Sequence, residues 1–156
     1  MWEMATNLLI TKGQGEALYK LNSFDMALLD ARIANYNHSL QSSIIPPHCK
    51  IHFDYKPLMP SEGRILPTIL SRKHGVLGER ICTGLALGIN ADPDLPGLIY
   101  EHSGIHPEQT RLTLKIMLQD AASARNWILN DIQIITCTLQ VTQPHGCVLV
   151  AAVLLP

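Results

Sequence analysis

Apolar positions recur along this chain with two different periods, and each change of period marks an element. Leu8, Leu9 and Ile10 open a first strand at about 8–11, which Gly13-Gln14-Gly15 is expected to close. The spacing then turns helical: Phe24, Ala27, Leu28 and Ala31 fall on one face, with Asn22 or Ser23 as the cap and 35–37 as the break. The next strand is expected over 38–45, stopped by Pro46-Pro47, which cannot donate to a ladder. A short alternating segment at 51–55 precedes a loop marked by Pro57, Pro60 and Gly63. Further strands are expected over 64–72, with a turn at Lys73-His74-Gly75, then over 80–90 and 97–102, with Asp92-Pro93-Asp94 turning between them. The second helix is the clearest element. Pro107 suits its first turn, Glu108 complements the dipole there, and Leu112, Ile116, Met117 and Ala121 form one stripe in a helix that runs to about Asn126. Two strands over 132–141 and 147–154, joined around Pro144-His145-Gly146, finish the chain. Many antiparallel-looking strands with two long helices predict an α+β sandwich.

Composition narrows the function classes. A chain of 156 residues suits one domain over 1–156, and 47% apolar against 16% charged residues points to a thick sandwich or a surface hidden in an oligomer. A net charge of −1 with no basic block excludes nucleic acid as the main partner and gives no polybasic membrane patch. The apolar tail at 147–155 is about half the ~20 residues a spanning helix needs, so it reads as a buried strand. No basic start followed by an apolar core is visible, and Cys49, Cys82, Cys137 and Cys147 form no CxxC pair, so reduced thiols and a cytoplasmic location are expected. His48 and His52 are four apart, as are His102 and His106, but neither pair lies on a confident helix, and no metal site is expected.

The candidate chemistry lies at Ser42-Ser43, followed closely by the stiff Pro46-Pro47. The Ser43 hydroxyl can attack the Ser42 carbonyl, an N→O acyl shift that turns the amide into an ester. Elimination of the Ser42 carboxylate then leaves dehydroalanine, which tautomerises and hydrolyses to a pyruvoyl group at the new N-terminus. Such a ketone can form a Schiff base with a substrate amine and act as an electron sink. A Ser-Ser pair alone is a weak signal.

Its surroundings are specific. Leu21-Asn22-Ser23-Phe24-Asp25, Leu28-Leu29-Asp30-Ala31, Ile33, Asn35 and Asn37 lead in order to Ser42-Ser43-Ile44-Ile45-Pro46-Pro47. Leu66-Pro67-Thr68, Gly97-Leu98-Ile99 with Glu101, and Gly146-Cys147 follow. This series resembles the pyruvoyl-dependent arginine decarboxylases over most of the chain.

The resemblance implies self-cleavage between Ser42 and Ser43 into a β chain (1–42) and an α chain (43–156), with a covalent pyruvoyl cofactor derived from Ser43. It implies a four-layer αββα sandwich and a homotrimer with active sites between neighbouring protomers; pairing of trimers stays open. By position, Glu101 matches the proton donor, Asp25 the acid facing the substrate guanidinium, and Asn37 the amide beside the cleavage site; Leu21 and Leu28 match apolar positions of the substrate pocket. The implied activity is decarboxylation of an amino acid, L-arginine to agmatine and CO₂ by default. The alternatives are a different amino acid and an uncleaved, non-catalytic ligand-binding relative. The chain departs from the family pattern at His102 and Ser103, in the loop 73–79, and at Arg32, where a small residue is usual.

Overall fold

The computed structural model describes residues 4–53 and 59–156. The expected segment at 51–55 and its Pro57 loop therefore fall partly outside the described residues. Two sheets and two helices make up one α+β domain. In chain order the elements are β1 (Asn7–Ala17), α1 (Lys20–Asp30), β2 (Asn37–Leu40), β3 (Ile44–Ile45), β4 (Lys50–His52), β5 (Ile65–Val76), β6 (Arg80–Asn90), β7 (Gly97–Gly104), α2 (Pro107–Ala124), β8 (Leu129–Gln140) and β9 (His145–Leu155).

The five-stranded sheet runs β2-β5-β9-β1-β4 and the four-stranded sheet β3-β7-β6-β8. β1 with β4 and β2 with β5 are parallel, and the other pairs are antiparallel. Strand alternation assigns the side chains to three apolar clusters. Val148, Val150 and Ala152 of β9 join Leu8 and Ile10 of β1, Ile69 of β5, Leu85 and Leu87 of β6 and Ile99 of β7, so this cluster takes residues from both sheets. The opposite face of β9, with Cys147, Leu149, Ala151 and Val153, packs with Ala27, Leu28 and Ala31 of α1. Leu114, Leu118, Ala121 and Ala122 of α2 pack with Ala86 of β6 and Leu98 of β7.

Several elements differ from the periodic reading, each for a physical reason. Gly13 and Gly15 do not end the first strand; β1 continues to Ala17, fully registered against β9. They serve close approach instead. A Cβ on Gly13 would strike the Ala27 carbonyl and lie 2.7 Å from the Ala31 nitrogen, so α1 can rest on this strand only where it lacks side chains. The expected cap at Asn22 or Ser23 gives way to Tyr19, which makes no side-chain cap bond, while the Ser23 hydroxyl donates to the Lys20 carbonyl inside the helix. β5 runs through Lys73-His74-Gly75, and the turn falls later, near Gly78 at φ +89°. On α2 the buried face is Thr110, Leu114, Leu118, Ala121 and Ala122, so Leu112 and Ile116 of the expected stripe point outward. The single strand expected over 38–45 is two short strands on different sheets.

Arg32 follows α1 at φ +61°, with its N–H donating to the Leu29 carbonyl and the Ile33 N–H to the Leu28 carbonyl, both at 3.0 Å. This is the Schellman ending, at whose left-handed position glycine is the unstrained residue. The departure at Arg32 is thus a turn residue, outside the helix.

Gly13→Ala is expected to destabilise the domain by about 2 kcal/mol or more, because the clash is with backbone that cannot yield without moving α1. Chemical denaturation of the two proteins checks this; equal midpoints would contradict the close approach.

Candidate functional site

The Ser42–Ser43 bond lies where the chain passes from one sheet to the other. β2 is an edge of the five-stranded sheet and β3 an edge of the four-stranded sheet among the described residues. The Gln41 N–H donates to the Thr68 carbonyl of β5 at 3.0 Å, which anchors the upstream side. On the downstream side the Ile99 N–H of β7 donates to the Ser43 carbonyl at 3.0 Å, and Ile44 registers with Leu98. Between these anchors the Ile44 N–H donates to the Ser42 carbonyl at 3.0 Å, closing a three-residue γ-turn around Ser43. Ser42 is exposed and Ser43 half-buried.

Glu101 is carried by the strand that holds Ser43. On β7, Leu98 and Tyr100 pack toward α2, while Ile99 belongs to the cluster shared by both sheets. Alternation gives Glu101 the face of Ile99, two residues along and past the end of the apolar cluster. It lines an open cleft of about 340 Å³ with Leu70, Ser71, Arg72, His102 and Ser103. Partial burial there pushes its carboxyl above the usual range. Ser43 is not among the residues lining that cleft.

Beneath the same cleft runs a largely buried line of hydroxyls that no motif announced. Ser71 Oγ of β5 lies 2.7 Å from Thr83 Oγ1 of β6, which lies 2.7 Å from Ser103 Oγ of β7. Ser103 in turn donates to the Arg72 carbonyl at 3.3 Å. The line ties the two sheets together and interrupts the apolar cluster, which resumes at Ile81 of β6. Its only sequence signal is polar residues on an otherwise apolar face: Ser71 after Ile69, and Thr83 between Ile81 and Leu85.

The remaining candidates stand elsewhere in the protomer. Asn37 begins β2, and its side-chain amide donates to the Gly63 carbonyl at 3.0 Å rather than to the Ser42–Ser43 segment. Asp25 and Leu21 are exposed on α1, which covers the face of the five-stranded sheet opposite to the one that meets the other sheet. Leu28 is 8% exposed and packs under α1. Beside them Phe24 receives the Arg72 guanidinium at 4.6 Å from its ring centroid and sets its edge toward His74. Desolvation, followed by the charges of Lys20, Arg72 and His145, holds the His74 imidazole below its usual range. The structure therefore ties Ser43 to the strand that carries Glu101, without placing the two in one cleft, and leaves Asn37, Asp25, Leu21 and Leu28 apart from Glu101.

Among the described residues no three of His, Cys, Asp and Glu converge as metal ligands, and no helix is long and apolar enough to cross a membrane. His48 pairs with exposed Asp94 at 3.1 Å, and His52 Nε2 lies 2.9 Å from Asn7 Oδ1. Cys147 is fully buried, and burial pushes its thiol up to about 11, which leaves it no nucleophile at neutral pH.

Comparison with known proteins fits this geometry. The family model for pyruvoyl-dependent arginine decarboxylase (PvlArgDC) matches residues 7–156. The pyruvoyl-dependent arginine decarboxylase of Methanococcus vannielii is 33% identical, with 93% of this chain and 87% of the relative aligned. That of Pyrococcus furiosus is 30% identical over 99% of this chain and 98% of the relative. A third, from Methanococcus aeolicus, is 34% identical over 79% of this chain and 74% of the relative. With a family model spanning both sheets, both helices and the Ser42–Ser43 crossing, this chain belongs to the pyruvoyl-dependent arginine decarboxylase family, which are carboxy-lyases.

Proposed function

We propose that this chain cuts itself between Ser42 and Ser43, carries a pyruvoyl group made from Ser43, and decarboxylates L-arginine to agmatine and CO₂. The observation that carries the reading is the crossing itself. In a family defined by a pyruvoyl group, the Ser-Ser bond bridges two sheets, with a backbone N–H on each serine carbonyl and Glu101 on the adjoining strand. Ser43 is half-buried, its hydroxyl accepts or donates no hydrogen bond among the described residues, and it immediately precedes the edge strand β3.

The pyruvoyl group supplies an electrophilic ketone that serves as the electron sink for loss of CO₂. The chain supplies the rest. Glu101, exposed but partly desolvated, holds its proton to higher pH than a fully solvated carboxylate and delivers it to the substrate α-carbon after CO₂ leaves. Asp25 accepts the guanidinium as a bidentate pair beside the exposed Leu21, while Leu28, buried under α1, supports that face from beneath. Asn37 serves the cleavage site as the family resemblance implies, which requires its amide to leave the Gly63 carbonyl.

Asp25 and Leu21 lie across the five-stranded sheet from Glu101, so one protomer does not gather them into one cavity. A neighbouring copy supplies the missing half in a homotrimer of αβ protomers, each folded as a four-layer αββα sandwich. Exposed Leu18, Tyr19, Leu21, Met26 and Leu29 on and beside α1 support a partner on that face. Unpaired Cys49, Cys82, Cys137 and Cys147 support a cytoplasmic setting. A different amino-acid substrate is the second reading, favoured by His102 and Ser103, which depart from the family pattern in the very cleft of Glu101.

Three outcomes are expected. Denaturing mass spectrometry of the purified protein shows chains of 1–42 and 43–156, and Ser43→Ala shows one intact chain that makes no agmatine; an uncut, hydroxylamine-resistant wild-type chain would instead support a non-catalytic ligand-binding relative. Glu101→Gln still cuts, but its kcat for CO₂ release falls by about 10²–10⁴-fold. In the wild type, kcat declines as pH rises through the elevated Glu101 value and this limb disappears in the variant. Because the folded state binds the extra proton, stability also falls as pH climbs above the ordinary 4.5 of an unfolded glutamate. Asp25→Asn raises KM for arginine by about 10-fold or more, the worth of a charged hydrogen bond; unchanged arginine kinetics would remove Asp25 from guanidinium recognition.

A further inference from the structure

Self-cleavage starts at a carbonyl oxygen that must take on negative charge, and one donor in this chain already points at it. We infer that the backbone N–H of Ile44 is an oxyanion donor for cutting at Ser42–Ser43. The inference rests on the cleavage proposed above and adds the group that promotes it.

The geometry is specific. The Ile44 N–H meets the Ser42 carbonyl at 3.0 Å across the γ-turn, whereas the Asn37 amide is engaged by the Gly63 carbonyl and the Gln41 amide by Ser39. The donor is also fixed in place. Ile44 registers with Leu98, Ile45 is fully buried in the cluster shared by both sheets, and Pro46-Pro47 follow without freedom of φ. A donor that needs no reorganisation when charge develops is the efficient kind. A carbonyl oxygen has two lone pairs, and Ile44 takes one, so a second donor such as Asn37 remains compatible.

In the acyl shift, the Ser43 Oγ–Ser42 carbonyl carbon bond forms and the bond from that carbon to the Ser43 nitrogen breaks. The hydroxyl proton ends on the released amine, and nothing is oxidised or reduced. During the shift the former Ser42 carbonyl oxygen passes through an alkoxide, which the Ile44 N–H stabilises. In the elimination that follows, the Cα–H and Cβ–Oγ bonds of residue 43 break. The proton passes to solvent, and the Cβ–Oγ electron pair leaves on the Ser42 carboxylate. That leaving carboxylate contains the same oxygen, so one N–H serves both steps.

The test removes the N–H and keeps the side chain. A chain carrying the α-hydroxy analogue of isoleucine at position 44 has an ester oxygen where the N–H was. Its conversion is followed by denaturing mass spectrometry beside the unaltered chain, Ile44→Val, which keeps the donor, and Ile44→Pro, which lacks it. Melting curves identify the chains that fold. The ester chain is expected to cut at 42/43 about 100-fold more slowly than the unaltered chain, with Ile44→Val within a few-fold of it. Any folded chain without the N–H that cuts at the unaltered rate overturns the inference. An unaltered chain that never cuts refutes the cleavage reading instead, so the two failures are distinct.

Discussion

The burial of β9 on both faces is the constraint on which the rest of the structure depends. Every residue from Cys147 to Val153 is fully buried. One set of side chains must therefore meet the second sheet and the other must meet a helix. A strand with no solvent face needs neighbours on both edges, which β1 and β5 supply in long antiparallel registers. A one-residue slip of β9 would exchange the two faces and send Val148, Val150 and Ala152 toward α1. Each fully buried Val or Leu contributes about 1.5–3 kcal/mol, so that exchange is strongly resisted.

The chemistry sits where this apolar order ends. Along β7, Ile99 closes the cluster shared by the two sheets, and the next side chain on that face is Glu101. Along β5 and β6 the same face is interrupted by Ser71 and Thr83, whose hydroxyls bond one another and Ser103. A carboxylate at this boundary is dry enough on one side to favour its proton while staying open to solvent on the other. Its elevated pKa thus follows from where the core stops, with no need of a neighbouring negative charge.

Parts of this were legible from residues alone. Pro107 marked the start of α2, and the apolar run over Arg80–Asn90 coincides with β6, because each depends on local rules. The ordered series from Asp25 to Pro47, with Glu101 downstream, carried the family. What stayed hidden was decided by distant partners. Gly13 and Gly15 look like turn residues until α1 is seen lying on them. Leu112 and Ile116 share helical spacing with Met117, but the sheet selects the adjacent face of α2. The three-residue crossing between β2 and β3 resembles one continuous strand until each half finds its own sheet. The Ile44 N–H has no side-chain identity at all, so no residue type could reveal it.

The crossing has a consequence for timing. The turn around Ser43 is held upstream by Thr68 of β5 and downstream by Ile99 of β7. Neither anchor exists in an unfolded chain, and they belong to different sheets. Under the proposed self-cleavage, cutting at this bond would be tied to completed folding, so a defective chain would remain in one piece and make no reactive ketone. A chain cut there would keep its short fragment clasped, since β1 runs between β9 and β4 and β2 lies along β5. The new ends would each be fastened to its own sheet, with no reason to meet again. On the proposed reaction the backbone would work as a one-way latch, arming the protein only after its architecture is finished.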